Sequence, residues 1–301
     1  MKFRITALTL LTAILLAACA SAPQPSTGSG LRVLTSTTFL ADIAQNVAGD
    51  RVKVESLIPA TTDPHEYQPK PQDIIKMTES QVLIVNGLGY ETWLKSSLDS
   101  LQGQRLIITA TNGLTPNPDP SNEHPAGDPH MWMNPLNVVQ YAENIRDGLI
   151  QADPSGRDIY SANTDAYISK LKDLDAWVKS DTAQLAPEKK LLVTNHDALG
   201  YFAQAYGFKI VGAIIPSVTT DASPSAQQMA SMIDAIKNSG ASAIFLDIGE
   251  NQNLADQIAS ETKVKVVTDL YVESISSADG PAPTYIDMIK HDVTVIMDAL
   301  K

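Results

Sequence analysis

Between Asp153-Pro154 and Pro187 the chain carries a periodic stripe at Tyr160, Thr164, Tyr167, Leu171, Leu174, Val178 and Leu185, with no glycine after Gly156. That spacing is one face of a helix, and about thirty residues at 1.5 Å each make a rod of roughly 45 Å, as long as a whole domain. A rod of that length in mid-sequence forces the rest of the chain to be arranged along it. On both sides the sequence alternates short apolar runs with helical patterns. We read residues 154–187 as a rigid linking helix between an N-terminal α/β lobe at 31–153 and a C-terminal one at 188–301. The competing reading is a long helix packed inside one domain.

In the first lobe, strand-like runs at Leu31–Thr35, Val52–Ile58, Val82–Asn86 and Leu106–Thr109 are separated by helical patterns at Phe39–Val47, Asp73–Ser80 and Glu91–Leu101. In the second, Leu191–Thr194, Lys209–Ile215, Ala243–Leu246 and Val264–Val267 alternate with helices near Ala198–Tyr206, Pro224–Asn238 and Leu254–Thr262. Strands joined through helices build parallel sheets with right-handed crossovers. The fold class expected is therefore α/β, two lobes each with a four-stranded parallel sheet flanked by helices. Leu136–Ile150 and Thr284–Leu300 supply further helices, and Thr111–His130, rich in Pro, Asn, Asp and Gly, reads as an exposed loop.

The first residues belong to neither lobe. Lys2 and Arg4 precede an uncharged run from Ile5 to Ala18 that is short for a bilayer span and shaped like an export signal. It ends in Leu16-Ala17-Ala18-Cys19, which resembles the lipobox of bacterial lipoproteins. That resemblance implies a signal peptide at 1–18, cleavage before Cys19 and a diacylglycerol on its sulfur. Residues 19–30, without a large apolar side chain, read as a flexible tether. Loss of Lys2 and Arg4 leaves 20 basic against 34 acidic residues, a net charge of about −14 instead of −12. So acidic a surface argues against a nucleic-acid partner. With Cys19 the only cysteine, a metal site would have to use nitrogen and oxygen donors.

Such donors stand at telling places. The chain has five histidines, and two of them close the same tripeptide, Asp63-Pro64-His65 and Asp128-Pro129-His130. His65 follows the second strand and His130 closes the loop after the fourth. His196 follows the first strand of the second lobe, and Asp269 follows its last. Open parallel sheets bind ligands beyond the carboxyl ends of their strands, so two facing lobes would bring the four together. Any one Asp-Pro-His alone would read as an ordinary turn. Asp247 and Glu250 compete with Asp269 for the fourth place. His124 in the polar loop, Glu66 and Asp247 are candidates for accessory or supporting roles, and His291 lies off the apolar stripe of the last helix.

With these residues in view, the chain resembles the zinc/manganese solute-binding lipoproteins of bacterial ABC transporters, the TroA-like group. The likeness rests on Asp63-Pro64-His65-Glu66-Tyr67 with Pro69 and Pro71, on Asp128 to Pro135, on His196 to Phe202 with Tyr206-Gly207, and on Thr268-Asp269. It spans nearly all of Leu31–Lys301. The resemblance implies one buried ion held by His65, His130, His196 and Asp269, with a membrane permease and its ATPase as partners. It also implies a lipid-anchored, extracytoplasmic location. Two departures stand out. Asn134 occupies a position where members often have Asp, and Thr111–Gly127 holds only His124 where many zinc-specific members have a His-rich loop, which puts accessory capture by that loop in doubt.

Members handling manganese or iron commonly have Glu at the position of His196. A third imidazole favours Zn²⁺, whereas oxygen-rich shells favour Mn²⁺. The expected function is thus capture and delivery of Zn²⁺ for import by a monomer, with Mn²⁺ or iron as the alternative cargo and no catalytic residues. A zinc hydrolase is the rival from another class, with Glu66 as its base. Four protein ligands and the absence of a His-Glu-x-x-His pattern speak against it. An adhesin-like surface lipoprotein is the third reading. Asp269 bound through one oxygen would give a tetrahedral zinc site; bound through both, it would admit manganese. A rigid bridging helix would limit lobe closure, so release is expected to work through loops near His196 or Asp269.

Overall fold

The computed structural model describes residues 30–60, 62–100, 103–119, 125–220 and 223–301. The expectations for the signal segment, for Cys19 and for His124 lie outside the described residues. The first half runs β1 (Val33–Thr35), α1 (Thr38–Ala48), β2 (Val54–Ser56), α2 (Pro71–Glu79), β3 (Val82–Val85), α3 (Thr92–Ser100) and β4 (Leu106–Thr109). Its strands form one parallel sheet in the order β2-β1-β3-β4. The helices α4 (Pro135–Ala152) and α5 (Arg157–Thr182) follow. The second half then runs β5 (Leu191–Thr194), α6 (Gly200–Tyr206), β6 (Lys209–Ala213), α7 (Ala226–Ser239), β7 (Ala243–Asp247), α8 (Asn253–Thr262), β8 (Lys265–Leu270) and α9 (Tyr285–Leu300). Its sheet is parallel too, in the order β6-β5-β7-β8, which repeats the strand order of the first. The two halves are α/β lobes of one topology.

Helix α5 is shorter than the sequence suggests. Pro154–Gly156 forms a separate 3-10 turn preceded by Asp153, and the helix proper is 26 residues, about 39 Å. The turn is anchored where Arg51, just past α1, pairs with Asp153, whose Oδ2 also accepts from Tyr160 Oη at 2.7 Å. The buried stripe of α5 is Tyr160, Thr164, Tyr167, Leu171, Leu174 and Val178. It packs on α1 and α4 of the first half and on α6 and α9 of the second. One apolar core accordingly continues from Phe39 and Tyr141 through Tyr167 and Leu171 to Phe202, Tyr285 and Val293. At α7 the helix begins later than the sequence suggests. Ser225 caps it by accepting from Gln228 N, and the Gln228 side chain accepts in return from Ser225 N, a reciprocal box that fixes the start.

Thr111–His130 is not simply an exposed loop. Asp119 and Asp128–His130 are buried. The cause is Tyr201 of α6, whose hydroxyl accepts from Asn117 N at 2.8 Å and donates to the Asp128 carbonyl at 2.7 Å. The second half thus holds down the loop that delivers His130.

Candidate metal centre

The repeated Asp-Pro-His is a turn in both places. Asp63 Oδ1 accepts from the His65 backbone N–H at 2.8 Å, and Asp128 Oδ1 accepts from that of His130 at 2.9 Å. An aspartate bonding the N–H two residues on, with proline fixing the backbone between, points the histidine inward without help from regular structure. The turns then diverge. Asp128 Oδ1 also lies 2.8 Å from His130 Nδ1, an acceptor for that ring N–H which turns Nε2 toward Glu273 and His196. Asp63 Oδ2 instead accepts from Thr220 Oγ1, across to the second half, at 2.5 Å. His196 sits two residues past β5, where Thr194 Oγ1 donates to its carbonyl at 2.7 Å.

These elements bring His65, His130, His196 and Glu273 together, all buried, with one donor atom from each within 4.8 Å of every other. Glu273 Oε1 lies 3.0 Å from His130 Nε2, 3.1 Å from His196 Nε2 and 3.6 Å from His65 Nε2, and the His130 and His196 Nε2 atoms are 3.3 Å apart. His65 Nε2 is buried with no hydrogen-bond partner. Among the described residues this is the one His/Cys/Asp/Glu group able to hold a metal ion.

The fourth member corrects the sequence reading, which names Asp269. That residue is still inside β8, which runs to Leu270 rather than stopping at Val267. Leu270 is in the core and Asp269 is exposed, its carbonyl accepting from His291 Nε2 at 2.8 Å. The carboxylate beyond the strand's true end is Glu273. The signal was present in Leu270-Tyr271-Val272, an apolar continuation past Asp269, but Thr268-Asp269 reads as a stop.

Glu273 is held from both halves. Asp247, at the end of β7, accepts from Val272 N at 2.8 Å through Oδ1 and from Glu273 N at 3.1 Å through Oδ2. The register of β7 on β8 shifts between Phe245 and Asp247, an irregularity of the kind that re-aims side chains near sites. From the first half, Trp132 Nε1 donates to the Val272 carbonyl at 2.9 Å, and the Tyr90 hydroxyl donates to Glu273 Oε2. Burial opposes ionisation of Glu273, yet the three imidazoles around it hold its carboxyl well below the usual range. His130 is the counterpart: burial works against its charge, but Glu273 and Asp128 raise it well above the ordinary imidazole value. Burial, reinforced by the Glu273 charge, pushes Asp247 up.

A cavity of about 420 Å³ opens beside the cluster, with Asp63, Glu66, Asn195, Glu250 and Glu273 on its wall. Burial pushes Glu250 up to about 7, although the neighbouring His196 pulls the other way. Glu66 is exposed there, outside the cluster. Asn134 spends its side-chain oxygen capping α4, accepting from Leu136 N at 3.0 Å.

Two topologically matched α/β lobes, with a buried cluster of three imidazoles and one carboxylate drawn two and two from them, define a two-lobed binding protein with a metal-ligand site. A family model described as the periplasmic zinc-uptake complex component A (ZnuA) matches residues 33–299, and the chain belongs to this family. It is 34% identical over 282 residues to the iron-binding protein YfeA of Yersinia pestis, covering 93% of this chain and 89% of that one. It is 32% identical over 275 residues to the manganese-binding lipoprotein MntA of Halalkalibacterium halodurans, covering 91% and 89%. Among solved structures it resembles the manganese-bound periplasmic metal-binding protein of Candidatus Liberibacter asiaticus (TM-score 0.80, 33% identity, covering 90% of this chain and 100% of that one). It also resembles the periplasmic zinc-binding protein TroA of Treponema pallidum (TM-score 0.82, 26% identity, 90% and 99%).

Proposed function

We propose that the chain captures one divalent transition-metal ion outside the cytoplasmic membrane and delivers it to an ABC permease, with His65, His130, His196 and Glu273 as ligands. The observation that carries this is Glu273 Oε1 standing as a common vertex, 3.0–3.6 Å from three imidazole nitrogens. Bonds of 2.0–2.1 Å to a tetrahedral ion set ligand-to-ligand edges of about 3.3–3.4 Å. Three nitrogens with one oxygen suit Zn²⁺, and we take zinc as the cargo. The second reading is manganese or iron, supported by the relatives named for those ions. Four converging donors leave no position for the water that a catalytic zinc keeps open, so the role is carriage. The protein acts as a monomer tethered through the lipid on Cys19. The acidic wall of the adjoining cavity, with Asp63 and Glu66, attracts cations toward the cluster.

Metal analysis of the purified soluble chain, followed by competition titration, tests the reading. One tightly held equivalent is expected, with zinc preferred over manganese, and His196→Ala should lower zinc affinity by more than about a hundredfold. Sub-stoichiometric binding, or binding untouched by that substitution, would overturn it.

A further inference from the structure

We infer that Tyr90 sets the metal preference of this site by holding Glu273 to a single coordinating oxygen. The inference rests on the proposed metal-binding role and deepens it. All three imidazoles face the same carboxylate oxygen, Oε1. The other, Oε2, accepts the Tyr90 hydroxyl. Chelation through both oxygens would bring the ion onto an Oε2 whose charge the buried hydroxyl already draws on, and would swing the carboxylate away from the angle this bond fixes. A bond to a charged acceptor out of contact with water has nothing to replace it.

Tyr90 cannot readily give way. It is 1% exposed, and its ring stands edge-on to His65 and to Trp132, each at 5.1 Å between centroids. It sits in a turn after β3 in which Gly87, Leu88 and Gly89 all have positive φ, at 94°, 56° and 78°. Leucine in that region is strained, a condition found where a turn is held by its surroundings. Here the Glu91 carboxylate does the holding: it accepts from Asn86 N at 2.6 Å, Gly87 N at 3.1 Å and Ser36 Oγ at 2.7 Å. The phenol is thus delivered to Oε2 from a fixed platform in the first half, while Oε1 is delivered to the imidazoles from the second.

The chemical consequence follows from coordination number. One carboxylate oxygen and three nitrogens close a tetrahedron, which Zn²⁺ accepts. Mn²⁺ favours a larger, oxygen-rich shell, and the second Glu273 oxygen is a donor that could add to it. Tyr90 withholds that oxygen. It is a positioning residue for specificity and need not touch the ion.

The test is Tyr90→Phe, which keeps the ring contacts and removes only the hydroxyl. We expect it to bind one equivalent of metal with the zinc-over-manganese preference reduced by at least about tenfold. Loaded with Co²⁺, the wild type should show the intense visible bands of a four-coordinate ion and the variant weaker bands of a higher coordination number. An unchanged preference and spectrum would overturn the inference while leaving the metal-binding role intact. Equal loss of zinc and manganese would overturn it as well, by showing that the hydroxyl merely supports the loop. Should the variant fail to fold, Co²⁺ in the wild type decides: a five- or six-coordinate spectrum sinks the inference. A wild type that binds no metal at all defeats the functional reading itself, before any variant is made.

Discussion

At the scale of single residues, aspartate does the orienting. In both Asp-Pro-His turns it fixes the histidine backbone, but only Asp128 also holds the ring, through Nδ1. The turns were legible in the sequence because the Asx bond and the proline are local, needing nothing beyond three residues. The cluster's carboxylate was not legible, because its place depends on where β8 ends, and an edge strand tolerates polar residues such as Thr268 and Asp269 within it. Tyr90 left no sequence signal at all, since its partner lies 183 positions away. The two carboxylates separate cleanly by experiment. Glu273→Gln should weaken zinc binding by more than about a hundredfold, whereas Asp269→Asn, on an exposed position, should leave it within about twofold. Calorimetric titration of both variants checks this, and a reversed order would reinstate Asp269.

At the scale of elements, the decisive piece is the segment between β8 and α9. Alternating strands and helices could be read from periodicity, but not the way this segment is clamped. Asp247 bonds Val272 and Glu273, and Asp292 Oδ1, on α9, accepts from Tyr271 N at 2.8 Å. Burial pushes Asp292 up to about 8, with the Tyr271 N–H acting against the shift and the Asp269 charge adding to it. In the unfolded chain the same group titrates near 3.9. Between those values the folded protein binds more protons than the unfolded one, so this group makes stability fall as pH rises from about 4 to about 8. Asp292→Asn keeps an oxygen for Tyr271 and cannot ionise. Metal-free variant protein should therefore melt at least about 2–4 °C above wild type at pH 8, with the gap closing toward pH 4. Thermal melts across that range measure it; a pH-independent gap would show that the buried charge is not the cause.

At the scale of the whole molecule, the halves are joined by more than α5. Tyr285 Oη donates to the Trp132 carbonyl at 2.6 Å, Tyr285 N–H to Asp42 Oδ2 at 2.9 Å, and Ile275 N–H to Thr38 Oγ1 at 3.1 Å. Together with the continuous core through α5, these bonds oppose a wide hinge. Small-angle scattering should find the radius of gyration altered by less than about 1 Å on loading with zinc; a larger contraction would mean that the lobes swing. Access to the cluster then depends on the His196 and Glu273 loops and on the Thr220–Asp63 contact between halves. Because two donors come from either side, a captured ion is also a rivet through the seam. Cargo held at a thousand times its dissociation constant would add about 4 kcal/mol against unfolding. Whatever moves those loops to let the ion go must first undo that fastening, so discharge and loosening of the carrier become the same event.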